Sequence, residues 1–320
     1  MKAIVYHEYG SPDVLRREDI ETPVPGDKEV LIKIRAAALN ALDWRMLRGK
    51  PVFARVMIGG LLKPKVTTPG VDLAGVVEAV GREVTKFKAG DEVFGVGRGS
   101  LAEYVCSVED KLALKPAEVS FEEAAAVPVA GVTALQGLRD KGHIRQGQKV
   151  LIDGASGGVG TFAVQIAKSF EAEVTAVSST AKLETARSLG ADHVIDYTRE
   201  DFTQNGKLYD LILGANATHS IFAYRRSLMP GGSYVMVGAV TIATMLQPLI
   251  LARLLSLFGD KHLNFSVASV NNKDLAILGA LLAAGTITSV IDRRYPLTDT
   301  PEAFRYMEQK HARGKIVITP

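Results

Sequence analysis

What the sequence lacks narrows its reading first. Its 320 residues include one cysteine, Cys106, and one tryptophan, Trp44. A single thiol excludes an internal disulfide and any site built on several cysteines, and it is compatible with a reducing cytosol. Cys106 lies in the stretch AEYVCSVED, an expected strand, and reads as a small core residue. Of the six histidines, none pairs with another at metal-ligand spacing. Charge of one sign is also missing. The formal net charge is +3, which makes no case for nucleic acid or an anionic membrane. The opening MKAIVYHEYG becomes polar too soon for a signal peptide, so a cytoplasmic protein is expected. The longest apolar run, Val240–Phe258, is broken by Gln247, Pro248 and Arg253 and falls short of a membrane span. It reads as a buried helix or part of a dimer face, with a lid over a lipophilic substrate as the second reading and an interfacial helix for a membrane quinone as a further one.

What is present centres on Lys149–Gly160, KVLIDGASGGVG. Val150, Leu151 and Ile152 form a short apolar run that suits a strand buried on both faces. The run breaks at Asp153-Gly154-Ala155-Ser156, and Gly157, Gly158 and Gly160 open a helical pattern. There Phe162, Ala163, Ile166, Ala167 and Phe170 recur at three- and four-residue spacing, giving one apolar face. Strand, glycine turn and helix in this order aim backbone N–H groups and the positive helix end at one point, where a pyrophosphate fits. Ala155, Ser156, Gly157, Gly158, Val159 and Gly160 are therefore expected to hold a dinucleotide. A side chain at Gly157 or Gly160 would block that approach or push the helix off the strand.

On either side of this turn the texture differs. Residues 1 to about 120 read as strands and turns with no sustained 3.6-residue period. Strands are expected at Ala3–Tyr6, Glu29–Arg35, Gly75–Val80 and Glu103–Cys106. Ser120-Phe121-Glu122-Glu123 is a capping-box pattern that starts an alanine-rich helix. From Lys149 strands and helices alternate, which implies a doubly wound parallel sheet. The tail after residue 268 reads as returning to the first domain. The expected division is 1–123 with 269–320 for the substrate, and 124–268 for the nucleotide.

The second strand of the nucleotide domain runs through Glu173–Val177 into Ser178-Ser179-Thr180-Ala181-Lys182. No acid stands at its tip to hold ribose hydroxyls, whereas hydroxyls and an ammonium suit a 2′-phosphate. Ser178, Ser179 and Lys182 thus point to NADP(H). The same residues also suit a helix cap and a solvated lysine. Tyr197, after the third strand, can place its ring or hydroxyl near the adenosine end, although taken alone it reads more readily as a domain-edge tyrosine.

Several motifs in order carry a resemblance. GASGGVG with VAGVTALQ upstream, GVDLAGVV and NALDWRMLRG before it, and LGADHVIDYTRED and HARGKIVIT after it resemble the medium-chain dehydrogenase/reductases. The nearest branch is the zinc-free quinone oxidoreductases. The resemblance implies an α/β protein, a GroES-like β domain plus a Rossmann domain, with the active site in the cleft between them and a homodimer formed at the nucleotide-domain edge near Tyr234–Val240. By the same resemblance Asn40 lies near nicotinamide and substrate, Thr133 near the nicotinamide ribose or carboxamide, and Ala215, Val237 and Gly238 along the cofactor. Asn40 also suits a turn residue bonded to its own backbone, and Thr133 a helix N-terminal residue. Two departures stand out. Gly214-Ala215-Asn216-Ala217 replaces the family's Asp-Ala-Val-Gly, and Arg45 stands where relatives often carry Tyr or Lys, so the proton donor is open.

The positions matching the catalytic zinc ligands are Asn40, Val71 and Val129, which form no normal zinc site. Without a metal, either hydrogen-bond donors polarise the substrate carbonyl or the acceptor is intrinsically electrophilic, and quinones and α,β-unsaturated carbonyls meet the second condition. An NADPH-dependent reductase of such acceptors is expected, with Arg45 able to stabilise an enolate oxygen. The alternatives are enoyl-thioester or alcohol/aldehyde oxidoreduction on the same fold, or a non-catalytic NADPH-binding sensor.

Overall fold

A computed structural model describes residues 1–50, 55, 60–238, 259–309 and 312–320. The apolar run Val240–Phe258 lies outside the described residues. In chain order, β1 (Lys2–Val5) and β2 (Arg16–Asp19) form an antiparallel pair. Then come β3 (Glu29–Leu39), α1 (Ala41–Arg48), β4 (Asp72–Val80), β5 (Glu92–Val96), β6 (Tyr104–Val108), β7 (Leu112–Leu114) and α2 (Phe121–Ala125). Helix α3 (Pro128–Gln136) leads to β8 (Lys149–Asp153), α4 (Gly158–Ser169), β9 (Glu173–Ser178), α5 (Leu183–Ser188) and β10 (His193–Asp196). Next are β11 (Tyr209–Gly214), α6 (Ile221–Arg226), β12 (Leu228–Met236) and β13 (His262–Phe265). The chain ends through α7 (Asn272–Ala283), β14 (Ile291–Pro296), α8 (Thr300–Glu308) and β15 (Lys315–Thr319). It divides into two compact units, Met1–Val129 with Val270–Pro320, and Ala130–Ser269.

In the first unit the strands run β14-β15-β3-β4-β5-β7, with β6 also paired to β3. Register brings three distant residues to one corner. Ile316 of β15 lies opposite Leu39, which puts Lys315 beside Asn40, and Asp72 lies opposite Ala38 across β3 and β4. The core is filled by side chains such as Ile32, Leu47, Leu73, Phe304 and Ile316. Residues 1 to about 120 are mostly strand and turn, as expected, with helix α1 as an addition that the sequence does not announce. Its eight residues give only two turns, too few for a period to stand out. It is held from its start instead, where the Asp43 carboxylate accepts from the Asn40 backbone N–H at 2.7 Å. The capping box at Ser120 is present, with Ser120 Oγ accepting from Glu123 N at 3.2 Å. Cys106 is half-buried on β6, and burial with nearby Glu29 pushes its thiol up to about 11.

In the second unit the strand order is β10-β9-β8-β11-β12-β13, all parallel. From β8 the chain first builds outward to β9 and β10, then returns to the other side of β8 as β11. The reversal leaves a crevice at the carboxyl ends of β8 and β11, where such sheets bind ligands. Helix α4 differs from expectation, being buried almost all round. Even Thr161 and Gln165 are inside, with Gln165 Nε2 donating to the Thr161 carbonyl. Of the strand expected near the dimer edge, Tyr234–Val240, the first three residues end β12, and residues 239–240 lie outside the described residues. β12 is paired on both sides, by β11 and β13, and among the described residues β13 forms that edge of the sheet.

Candidate active site

The loops leaving the parallel strands are stitched together by backbone bonds. Ala155 N donates to Val177 O (3.0 Å), and Tyr197 N to Ser178 O (3.1 Å). Ala215 N donates to Asp153 O (2.9 Å), Ala217 N to Gly238 O (3.0 Å) and Val237 N to Gly214 O (3.0 Å). The structure therefore brings the expected cofactor residues Ala155–Gly160, Ser178, Tyr197, Ala215, Val237 and Gly238 to one end of one sheet.

The two key glycines differ. A Cβ on Gly160 would lie 2.1 Å from the Gly154 carbonyl oxygen and 2.7 Å from Ala155 Cα, so glycine there lets α4 pack onto the turn. A Cβ on Gly157 would meet nothing nearer than that same carbonyl, at 3.7 Å. Its backbone is ordinary and extended (φ −82°, ψ 175°). Folding does not demand glycine at 157, and the space beside it would admit a phosphate at the first turn of α4.

At the tip of β9 the Ser178 hydroxyl is buried without a hydrogen-bond partner in the protein. Such a group normally costs about 1–3 kcal/mol, and a ligand oxygen would satisfy it. Ser179 and Lys182 are half-buried beside it, and the Tyr197 side chain is 61% exposed. An acid does stand one strand over. Asp196, paired in register with Ser178, accepts from the Thr180 and Thr198 hydroxyls and the Thr198 N–H. Those donors, led by Thr180, hold its carboxyl below the usual range. Asp196 ends the third strand and not the second, where a ribose-binding acid is expected in sequence.

A second unforeseen acid, Asp153, ends β8 just before the glycine turn. It is 6% exposed, and burial pushes its pKa up to about 7 although the Tyr224 hydroxyl donates to it. Tyr224 also accepts from Thr218 N at 3.2 Å and stacks on Tyr234 with ring centroids 4.3 Å apart. This group supports the 214–218 loop from below.

In the first unit Asn40 precedes α1, half-buried. Its side chain closes a capping box with Asp43 and also reaches across the sheet. Nδ2 donates to Asp72 Oδ2 at 2.9 Å, and Oδ1 accepts from Lys315 Nζ at 2.6 Å. Lys315 also donates to Asp72 Oδ2 at 3.0 Å, and Asp72 Oδ1 accepts from Val129 N at 3.0 Å. Asp43, buried, is pushed up to about 7 by desolvation and then by the charge of Asp72. Its carboxylate is turned onto the Asn40 N–H, the geometry of a cap. Arg45 sits half-buried on α1 with its guanidinium 5.8 Å from the Trp44 ring centre, and burial lowers its pKa. Thr133 is buried within α3 in the second unit, past the first turn of that helix. Lys315 and Asp72 escaped sequence reading because they lie 243 residues apart. Only the register of β3, β4 and β15 joins them.

Residues 26–117 match the alcohol dehydrogenase GroES-like domain family, and residues 189–318 the zinc-binding dehydrogenase family. The 2-methylene-furan-3-one reductase of Solanum lycopersicum is 38% identical, over 100% of this chain and 79% of that protein. The chain belongs to the medium-chain dehydrogenase/reductases, in the quinone oxidoreductase branch. The NADPH-dependent alkenal/one oxidoreductase of Arabidopsis thaliana is 36% identical, over 100% of this chain and 80% of that protein. Among solved structures, the quinone oxidoreductase of Coxiella burnetii superposes with a TM-score of 0.87 at 29% identity, over 100% and 99% of the two chains.

Within this family the zinc positions matched by sequence carry one amide and two aliphatic side chains, Asn40, Val71 and Val129, a donor set that does not fit zinc. Among the described residues no group of three or more His, Cys, Asp or Glu is placed to hold a metal. No described helix is long and apolar enough to cross a membrane.

Proposed function

We propose that the protein is a zinc-independent, NADPH-dependent oxidoreductase that reduces quinones or α,β-unsaturated carbonyl compounds. The observation that carries the reading is the turn at Gly157, where the fold does not demand glycine and a phosphate has room. Ala155, Ser156, Gly157, Gly158, Val159 and Gly160 line the pyrophosphate, which accepts from the N–H groups exposed at the start of α4. Ser178, Ser179 and Lys182 hold the 2′-phosphate, with Tyr197 flanking it. Ala215, Val237 and Gly238 line the dinucleotide, and Thr133 orients the nicotinamide end. When bound, NADPH supplies the hydride.

Asn40 and Arg45 act on the acceptor. As negative charge develops on the substrate oxygen, Asn40 Nδ2 donates a hydrogen bond to it and the Arg45 guanidinium stabilises it by charge. For an enone, hydride adds to the β-carbon, and the resulting enolate takes a proton from water to give the saturated ketone. For a quinone, the hydroquinone anion takes that proton. Asp43 is committed to capping Asn40 and donates none. The family names of the relatives, an alkenal/one oxidoreductase and a furanone reductase among them, support the same acceptor class. We also propose a cytoplasmic homodimer joined along the β13 edge, which light scattering tests.

The first experiment follows NADPH oxidation with benzoquinone, phenanthrenequinone, an alkenal and a simple aldehyde, with a chelator present and NADH as control. Chelator-resistant turnover of quinone or alkenal with NADPH preferred is the expected result. Gly157→Ala should keep the fold and raise the NADPH dissociation constant at least about tenfold, the loss of one phosphate contact. Tight NADPH binding without turnover of any acceptor would overturn the enzymatic reading.

A further inference from the structure

Lys315 and Asp72 are the most deeply buried ion pair among the described residues, at 2% and 0% side-chain exposure. Burying such a pair gains little stability over apolar residues of the same volume, so its presence asks for another reason. The third partner is Asn40. Lys315 Nζ donates to its Oδ1 at 2.6 Å, and its Nδ2 donates to Asp72 Oδ2 at 2.9 Å. An ammonium only donates and an ionised carboxylate only accepts, whereas a carboxamide does both. Flanked by this cation and this anion, the Asn40 amide has a single permitted orientation. A flip would set its NH₂ against the ammonium and its oxygen against the carboxylate.

We propose that Lys315 and Asp72 are positioning residues that lock the Asn40 amide so that an N–H, and never its oxygen, meets the reacting oxygen of the substrate. One Nδ2 hydrogen is taken by Asp72, and the second remains on a side chain that is only half-buried. Held in advance, that donor needs no reorientation when charge develops on the substrate, the condition under which such donors accelerate reactions most. Asp72 also accepts from Val129 N at 3.0 Å, which ties the corner to the start of α3 and fixes the carboxylate itself. The inference rests on the reading above of Asn40 as the donor to substrate.

The double variant K315Q/D72N keeps hydrogen-bonding groups on both sides of Asn40 but removes the two charges, and with them the instruction about orientation. NADPH affinity should stay within about twofold of the parent. The kcat for an enone, whose enolate needs the donor, should fall roughly ten- to a hundredfold, below the loss seen when an oxyanion donor is deleted outright. The kcat for a quinone, whose product anion is stabilised by its own aromaticity, should fall much less. Equal losses on both acceptors, or none, would overturn the proposal. Should the double variant unfold, the parent decides the matter. With ¹⁵N-labelled asparagine, the two Asn40 side-chain protons should be distinct and slow to exchange, and one should shift when a saturated ketone is added with NADP⁺. Averaged, rapidly exchanging protons would overturn it. A parent that binds NADPH and reduces no acceptor removes the functional reading, and this inference with it.

Discussion

The two units bury a carboxylate near their candidate site corners in opposite ways. In the first, Asp72 meets an ammonium, a side-chain amide and a backbone N–H, and the pair Lys315–Asp72 is an ion pair sealed from water. In the second, Asp153 meets a phenol, and burial lifts it to about 7. A buried acid facing a cation keeps a charge that can direct its neighbours. A buried acid facing a neutral hydroxyl gives up its charge near neutral pH and acts as a spacer that supports the loop above. The first arrangement belongs where a side chain must be aimed, the second where a backbone turn must be propped.

Breaking the ion pair should have the largest effect. Lys315→Met leaves Asp72 buried without its cation, and removing one partner of a buried pair costs about 3–5 kcal/mol. Urea unfolding should show that loss, and K315Q/D72N should recover most of it because no uncompensated charge remains. A Lys315→Met protein as stable as the parent would mean that water reaches this corner and the contrast between the units is false.

The acids lifted toward neutrality give a smaller effect with a definite sign. Asp153 and Asp43 have folded pKa values of about 7, against an ordinary value near 3.8 when unfolded. Between those values the folded state holds protons that the unfolded state has released, so stability from these groups falls as pH rises. Each should account for a decline of about 1.4 kcal/mol between pH 6 and pH 8, the interval around the folded value. Asp153→Asn retains an acceptor for Tyr224 and should remove its share of the slope. Urea midpoints at the two pH values measure this, and an unchanged slope would show that Asp153 is already ionised at pH 6.

What could be read in the sequence follows from how far each signal reaches along the chain. The nucleotide unit was legible almost strand by strand, because β8, α4 and β9 are local patterns and the glycine turn announces its own chemistry. The role of Gly157 as opposed to Gly160 was not, since both are simply glycine until a Cβ is placed on the backbone. In the first unit α1 was hidden by its brevity, and the surroundings of Asn40 by sequence distance. No spacing rule links residues 40, 72 and 315. Only the pairing of Leu39 with Ile316 and of Ala38 with Asp72 does so. Asp153 was visible as a residue but not as a buried one, because its partner Tyr224 lies on α6, 71 residues away.

Ser178 offers the finest test of the contrast, because there a polar group is buried with no partner at all. Replacing an unsatisfied buried hydroxyl with hydrogen removes a desolvation penalty, so Ser178→Ala should be as stable as the parent or slightly more so. If the hydroxyl awaits the cofactor's 2′-phosphate, the same change should raise the dissociation constant for NADPH roughly tenfold, the worth of one hydrogen bond to a charged group. Affinity for NADH, which lacks that phosphate, should not move. Fluorescence titration of both nucleotides separates the cases. A loss shared equally by NADPH and NADH would place the hydroxyl against the ribose and leave Lys182 and Ser179 as the only selectors of the phosphate.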